Sequence, residues 1–430
     1  MIQKYLNRSS ILFTSWASLA AFSTYFAMYA FRKPFSAGTF DGLEFYGMDY
    51  KIVLIIAQVL GYMLSKFSGI KLVSELKPSH RISFLLILIG IAQLALLLFA
   101  ITPFPYSFIW LFVNGLPLGM IWGIVFSFLE GRKFTELLGA GLSVSFIVSS
   151  GVVKNTGRWL IMDFGVSDFW MPFYTGLLYL PLLLAGAWML SKIPAPKADD
   201  VALRSARKPM DRKQRLAFFK KHALGLSVLI FIYMAMTAYR DFRDNFAVEI
   251  WQGLGYASQP ELLSLTEIPI AIITLVITAS LVVVKNNTKA LRINFIAILF
   301  GGVIAGVSTW LLQLQLISPI LWMTGIGFGL YLGYTMFNTM LFDRLIATIK
   351  ESANVGFLIY LADSFGYMGS VGLLLYKNFG APSINWLSFT VGLSYAFSII
   401  TILSASFCLL YFKKKTSRKV EELQGKMVLS

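Results

Sequence analysis

The sequence predicts an all-α membrane protein with twelve transmembrane helices in two six-helix halves. Three observations predict it. Of the 430 residues, 57% are hydrophobic and only 13% are charged, whereas soluble proteins carry about 25% charged residues. The apolar residues gather into twelve runs, each close to the roughly 20 residues a helix needs to cross a bilayer. The longest polar stretch falls near the middle of the chain, with six runs on either side. This composition excludes a disordered chain, a collagen, a disulfide scaffold and an ordinary soluble enzyme.

The runs read, in order, 11–36, 52–71, 82–101, 107–129, 137–158 and 170–191 in the first half. In the second half they read 223–247, 262–284, 293–314, 318–342, 353–376 and 385–412. Several contain Gly or Pro, as membrane helices often do. The first is expected to stay in the mature protein. It is too long for a signal peptide, no small-residue cleavage site follows it, and more spans come after.

Basic residues set the expected orientation. Of the 37 Lys and Arg, 28 fall on the side of the N-terminus, the even-to-odd loops and the tail, and 8 toward the other side, counting those near the outer ends of spans, with Lys66 left out as lying within a span. The positive-inside rule then places both termini in the cytoplasm, in a bacterial inner membrane. The central loop is the densest in charge, with Lys192, Lys197, Arg204, Arg207, Lys208, Arg212, Lys213, Arg215, Lys220 and Lys221. In a chain with net charge +16 this reads as attraction to anionic lipid rather than to nucleic acid. Six spans, a basic loop and six spans is the layout of the major facilitator fold, whose site lies at midplane. The expected divisions are 1–191, a linker 192–221, 222–412 and a tail 413–430.

Metal and cofactor chemistry are not expected. Cys408 is the single cysteine, so no intramolecular disulfide or cysteine-based zinc site can form. The two histidines, His80 and His222, lie beside charged segments.

Charges inside spans are costly, of order 2.5–3.5 kcal/mol each at the bilayer centre, and therefore informative. Tyr25, Tyr29 and Arg32 recur at i, i+4 and i+7, which places two phenols and a guanidinium on one face of a continuous helix. Such a face suits an anion, since Arg offers a planar fork and phenols donate further hydrogen bonds. The competing reading is an Arg32–Lys33 pair that snorkels to the outer interface. Lys66 lies one turn after Tyr62 and is open to the same two readings. In span seven, Arg240 and Arg243 stand at a depth similar to that of Arg32 in span one, so facing forks could clamp an anion. Alternatively Asp241 and Asp244 consume that charge, Arg240 pairing with Asp244 and Asp241 with either Arg. Asp363 in span eleven reads as a proton-coupling site, a partner for a cation or a structural acid. Glu267 is similar and weaker. Lys154 and Arg158, at the end of span five, are expected to face the outer water.

At these residues the chain resembles the organophosphate:inorganic phosphate antiporter family of the major facilitator superfamily, which includes glycerol-3-phosphate and hexose-phosphate transporters. Tyr25-x-x-x-Tyr29-x-x-Arg32-Lys33-x-Phe35 is similar to its first helix, and Tyr62-x-x-Ser65-Lys66-Phe67 to its second. Asn114-Gly115-x-x-x-Gly119-Met120-x-Trp122 is similar to the fourth and Gly327-Phe328-x-x-Tyr331 to the tenth. Ala353-x-Val355-Gly356-Phe357, with Phe365-Gly366-Tyr367-x-Gly369-Ser370, resembles the eleventh. The resemblance implies an anion site of Arg32, Lys66, a seventh-helix arginine (Arg240 or Arg243) and Tyr25, Tyr29, Tyr62, Tyr331 and Tyr367, with Lys33 beside it. The chain departs from the family at Ser149, where the family has a histidine, and at Glu75-Leu76, where the superfamily usually has Asp-Arg.

The expected function is alternating-access transport of a small organic anion, phosphorylated or carboxylated, by antiport with phosphate or by proton coupling through Asp363, Asp241 or Asp244. The expected partners are that anion and the lipid bilayer, with no nucleic acid, and the chain is expected to be a monomer. The rival class is a membrane sensor of a phosphorylated ligand. An enzyme is disfavoured, because no nucleophile triad, metal cluster or phosphate loop is present in the sequence and the arginines would keep Asp241 and Asp244 ionised.

Overall fold

A computed structural model describes every residue except 1, 7–8, 75, 130–134, 195–211, 350–354 and 429–430. Most of the basic linker, Glu75 and Ala353 therefore lie outside the described residues. The long helices are α1 Ser10–Met28, α2 Tyr50–Ser74, α3 Arg81–Ile101, α4 Phe108–Leu129, α5 Thr135–Phe164 and α6 Met171–Ser191. They continue with α7 Ala223–Asn245, α8 Glu267–Val282, α9 Asn287–Gln313, α10 Pro319–Met336, α11 Val355–Leu375 and α12 Trp386–Val428. Each of the twelve expected spans finds its helix. Among the described residues, eleven helical segments are long and apolar enough to cross a membrane, and the 30-residue α5 completes the set. Large apolar side chains such as Ile87, Leu94, Leu178 and Leu403 lie exposed along these helices, as lipid-facing surface requires.

Several helices break where local chemistry demands it. The run 11–36 is not one helix. The α-helix stops at Met28, a 3₁₀ turn follows over Tyr29–Phe31, and a second begins at Pro34. Proline lacks the N–H a continuing helix would use and restricts the residue before it. The run 262–284 divides at Thr266 into Leu262–Leu265 and α8. α10 runs through a π-helical stretch, Phe337–Leu341, into a further α-helix, Phe342–Ile349, and α11 ends in a π-helical stretch, Tyr376–Gly380. Between α1 and α2 lies a small hairpin, Glu44–Phe45 against Met48–Asp49. Its turn residues, Tyr46 and Gly47, both have positive φ, as a type I′ turn requires.

The chain forms two compact units. One holds Met1–Arg204, Arg240–Leu275 and Ser370–Thr390, and the other holds Ser205–Tyr239, Val276–Gly369 and Val391–Ser430. In the first unit α2 and α4 touch backbone to backbone. A Cβ on Gly61 would collide with the carbonyl of Phe112, and one on Gly115 with the carbonyl of Gln58. Gly151 of α5 meets the carbonyl of Leu263 in the same way. In the second unit Gly301 of α9 and Gly329 of α10 face each other's carbonyls. Small residues at such contacts let membrane helices pack closely.

Candidate functional site: a buried cationic cluster

The break in α1 creates the site. Arg32 and Lys33 both donate their backbone N–H to the carbonyl of Tyr29, and the carbonyls of Phe31 and Arg32 turn away from the helix. Two side-chain amides receive them. Gln58 Nε2 donates to the Arg32 carbonyl (2.8 Å) and to Asn114 Oδ1 (2.8 Å). Asn114 Nδ2 donates to the carbonyls of Phe31 and Ala92, each at 3.0 Å. The Arg32 guanidinium, with its residue only 5% exposed, lies over the Tyr62 ring at 3.9 Å from the centroid. It stands 5.9 Å from the ring of Tyr29. Lys66 Nζ approaches the same Tyr62 ring at 5.4 Å and the ring of Trp122 at 5.9 Å. Tyr25 packs edge-on against Tyr29, and Tyr25, Tyr29 and Tyr62 are all buried. A continuous helix through Arg32, as its i, i+4, i+7 spacing from Tyr25 and Tyr29 implies, does not form. Arg32 stands on a turn, and residues of α2 and α4 bond its main chain and that of Phe31.

Beside this lies a buried ionic cluster. Lys33 Nζ pairs with Asp244 Oδ2 (2.5 Å) and donates to Asn245 Oδ1 (2.9 Å). Lys154 Nζ pairs with Asp244 Oδ1 (2.6 Å), and Ser150 Oγ donates to the same oxygen. Arg243 pairs with Glu267 (2.7 Å). Arg240 pairs with its neighbour Asp241 (2.7 Å), whose second oxygen accepts from Ser370 Oγ (2.7 Å). The aspartates do engage cations, but Asp244 is held by Lys33 and Lys154. Arg243 is turned to α8, where Glu267 holds it.

Lys154 corrects an expectation. It does not face the outer water; it is 3% exposed, because α5 runs on to Phe164 and carries Lys154 well inside. Arg158, farther along, is partly buried and reaches the carbonyl of Ala37 (3.5 Å). Ser149, standing where the family has a histidine, is fully buried.

Tyr331, Tyr367 and Asp363 belong to the second unit and are buried there. Tyr233 donates to Asp363 Oδ1 (2.6 Å), and its hydroxyl lies 3.2 Å from that of Tyr334. Tyr233 and Tyr334 stack with centroids 5.3 Å apart, and Asn338, in the π stretch, is within 3.5 Å of Tyr233.

Sequence reasoning missed Gln58, Ser150 and the pair Lys51–Glu249. Lys51 opens α2, bonds Glu249 and lies 5.5 Å from the Phe246 ring. Gln58 had a readable signal, as a lone amide in an apolar run. Lys51 and Glu249 had none, since each alone is an ordinary loop charge. Among the described residues no cluster of His, Cys, Asp or Glu could hold a metal.

The comparisons agree with this architecture. A crystal structure of a D-xylose-proton symporter superposes with a TM-score of 0.59 at 13% identity, covering 93% of this chain and 97% of that one. A crystal structure of the nucleoside transporter NupG gives a TM-score of 0.59 at 14% identity, covering 93% and 99%. At such identity the likeness establishes the fold, the twelve-helix major facilitator fold of a multi-pass membrane protein. No curated protein matches the chain by sequence. A family model described as a family of unknown function, DUF5690, matches residues 34–415; the match spans most of the sequence, and the chain belongs to that family.

Proposed function

We propose that this protein is a secondary transporter that moves a small organic anion, phosphorylated or carboxylated, by alternating access. The observation that carries the reading is the charge of the first unit's interior. Among the described residues, Arg32, Lys33, Lys154, Arg240 and Arg243 gather there with Asp241, Asp244 and Glu267. Lys66, half-buried, adds a further positive charge. Cationic side chains gathered with phenols in a low-dielectric interior are suited to hold an anionic cargo. Arg32, Arg240 and Lys66 are the proposed anion ligands, with Tyr29 and Tyr62 as phenol partners. The fold likeness to a symporter and a nucleoside transporter supports transport as the class of activity.

Exchange is one mode that suits a cationic site, since an anion bound during the crossing lowers the cost of carrying that charge through the bilayer. Proton coupling through Asp363 is the other mode. It predicts uptake driven by a pH gradient and lost in Asp363→Asn.

The test is uptake into proteoliposomes of a panel of phosphorylated and carboxylated metabolites. Arg32→Gln should cut uptake of the transported anion about 10- to 100-fold, the range set by a charged hydrogen bond of about 1.5–3 kcal/mol. Normal uptake of every panel member by Arg32→Gln would refute the reading.

A further inference from the structure

We infer that Gln58 and Asn114 are positioning residues that set where the Arg32 guanidinium meets an anion; the inference rests on the anion reading of Arg32. A carbonyl left unbonded inside a bilayer costs several kcal/mol, so the broken end of α1 needs donors from somewhere. Any amide would serve that need. The arrangement here does more, because the donors belong to the structure that also carries the ring beneath the guanidinium.

Gln58 and Tyr62 are four residues apart on α2, hence on one face. Gln58 grips the main chain of Arg32, and Tyr62 lies under its side chain. One helical turn therefore spaces the two ends of Arg32. The Gln58 amide is oriented by Asn114, and Asn114 is anchored to the Ala92 carbonyl of α3. Gly61 and Gly115 bring α2 and α4 into backbone contact between these residues, so no flexible side chain separates the amides from their frame. Gln58 and Asn114 are 4% and 0% exposed. With the amides gone, α1 can find other donors or water, but the guanidinium no longer has a fixed depth over Tyr62. Misplacing a binding group by about 1 Å can cost on the order of 100-fold in a reaction that depends on it.

The test uses the full-length protein in detergent, with inorganic phosphate as the probe, measured by calorimetric titration alongside thermal unfolding. Wild type should bind phosphate, and Arg32→Gln should weaken that binding at least 10-fold. Gln58→Met, similar in length but without donors, should weaken binding about 10-fold. In an Arg32→Lys background, which keeps charge but loses the fork, Gln58→Met should change binding less than 2-fold. If Gln58→Met does not fold, Asn114→Ser, which shortens the partner orienting Gln58, carries the same expectation. Wild-type affinity in Gln58→Met with a lowered unfolding midpoint would show a purely structural role and overturn the inference. So would an equal loss in the Arg32→Lys background. Equal phosphate response, or none, in wild type and Arg32→Gln would instead overturn the anion reading itself, and the positioning role with it.

Discussion

Asp244 is the residue on which two buried lysines converge, one from the turn after α1 and one from α5. Replacing it by Asn leaves two ammonium groups facing each other with no carboxylate between them. Removing one partner of a buried ion pair typically costs about 3–5 kcal/mol. Asp244→Asn should therefore lower the thermal unfolding midpoint strongly, and adding Lys154→Met should restore part of the loss. A midpoint equal to wild type in the single variant would contradict this account. Glu249 provides a pH-dependent counterpart outside the membrane-spanning segments. Burial raises its carboxyl above the ordinary 4.5, against the opposing pull of Lys51. The folded protein then holds the proton more tightly than the unfolded chain. That contribution is complete below 4.5 and is lost as pH rises through the raised value. The stability of wild type relative to Glu249→Gln should thus fall with rising pH across this window, in thermal melts at constant ionic strength. At this scale the sequence showed which charges were unusual but not their partners. Lys154 and Asp244 are 90 positions apart, and nothing local to either marks the other.

At the scale of the helices, each run read from hydropathy corresponds to a long helix, eleven of them apolar enough to cross a membrane among the described residues, because burial in lipid imposes a long apolar run wherever a helix crosses. Hydropathy could not locate the break at Met28, since the residues around it are as apolar as those of the helix. Pro34 was the one local sign, and it lies past the turn. The glycine contacts were equally silent, because a glycine that meets a carbonyl looks like one that meets nothing until the neighbour is known. Their consequences differ sharply. Gly115→Ala would drive a methyl group into the Gln58 carbonyl, and overpacking of this kind costs about 1–3 kcal/mol. Gly90→Ala on α3 meets open space and should be neutral or stabilising by up to about 1 kcal/mol, the helix preference of Ala over Gly. Unfolding midpoints of the two variants in one detergent provide the comparison. No loss of stability in Gly115→Ala would argue against the packing described for α2 and α4, and a loss in Gly90→Ala would argue against the open space described at α3.

For the whole molecule, the proposed anion site has a consequence for cycling. If a cationic site carries an anionic cargo, the loaded protein changes state more readily than the empty one. Proteoliposomes preloaded with the transported anion should then take up external anion several-fold faster than empty ones. Equal initial rates, with a response to an imposed pH gradient instead, would favour proton coupling through Asp363. The fold was legible at this scale from composition and the midpoint loop alone. The cationic interior was legible only as a set of costly residues, because its arrangement depends on α7, α5 and the end of α1 meeting in space.

The π-helical stretches at Phe337–Leu341 and Tyr376–Gly380 have a consequence for motion. A wide turn holds one residue more than the regular repeat, so the helix bearing it stores slack and can lengthen or rotate by passing that residue along. α2 and α4, locked main chain to main chain, store none. If the protein works by alternating access, the tenth and eleventh helices have this slack to spend, and α2 and α4 do not.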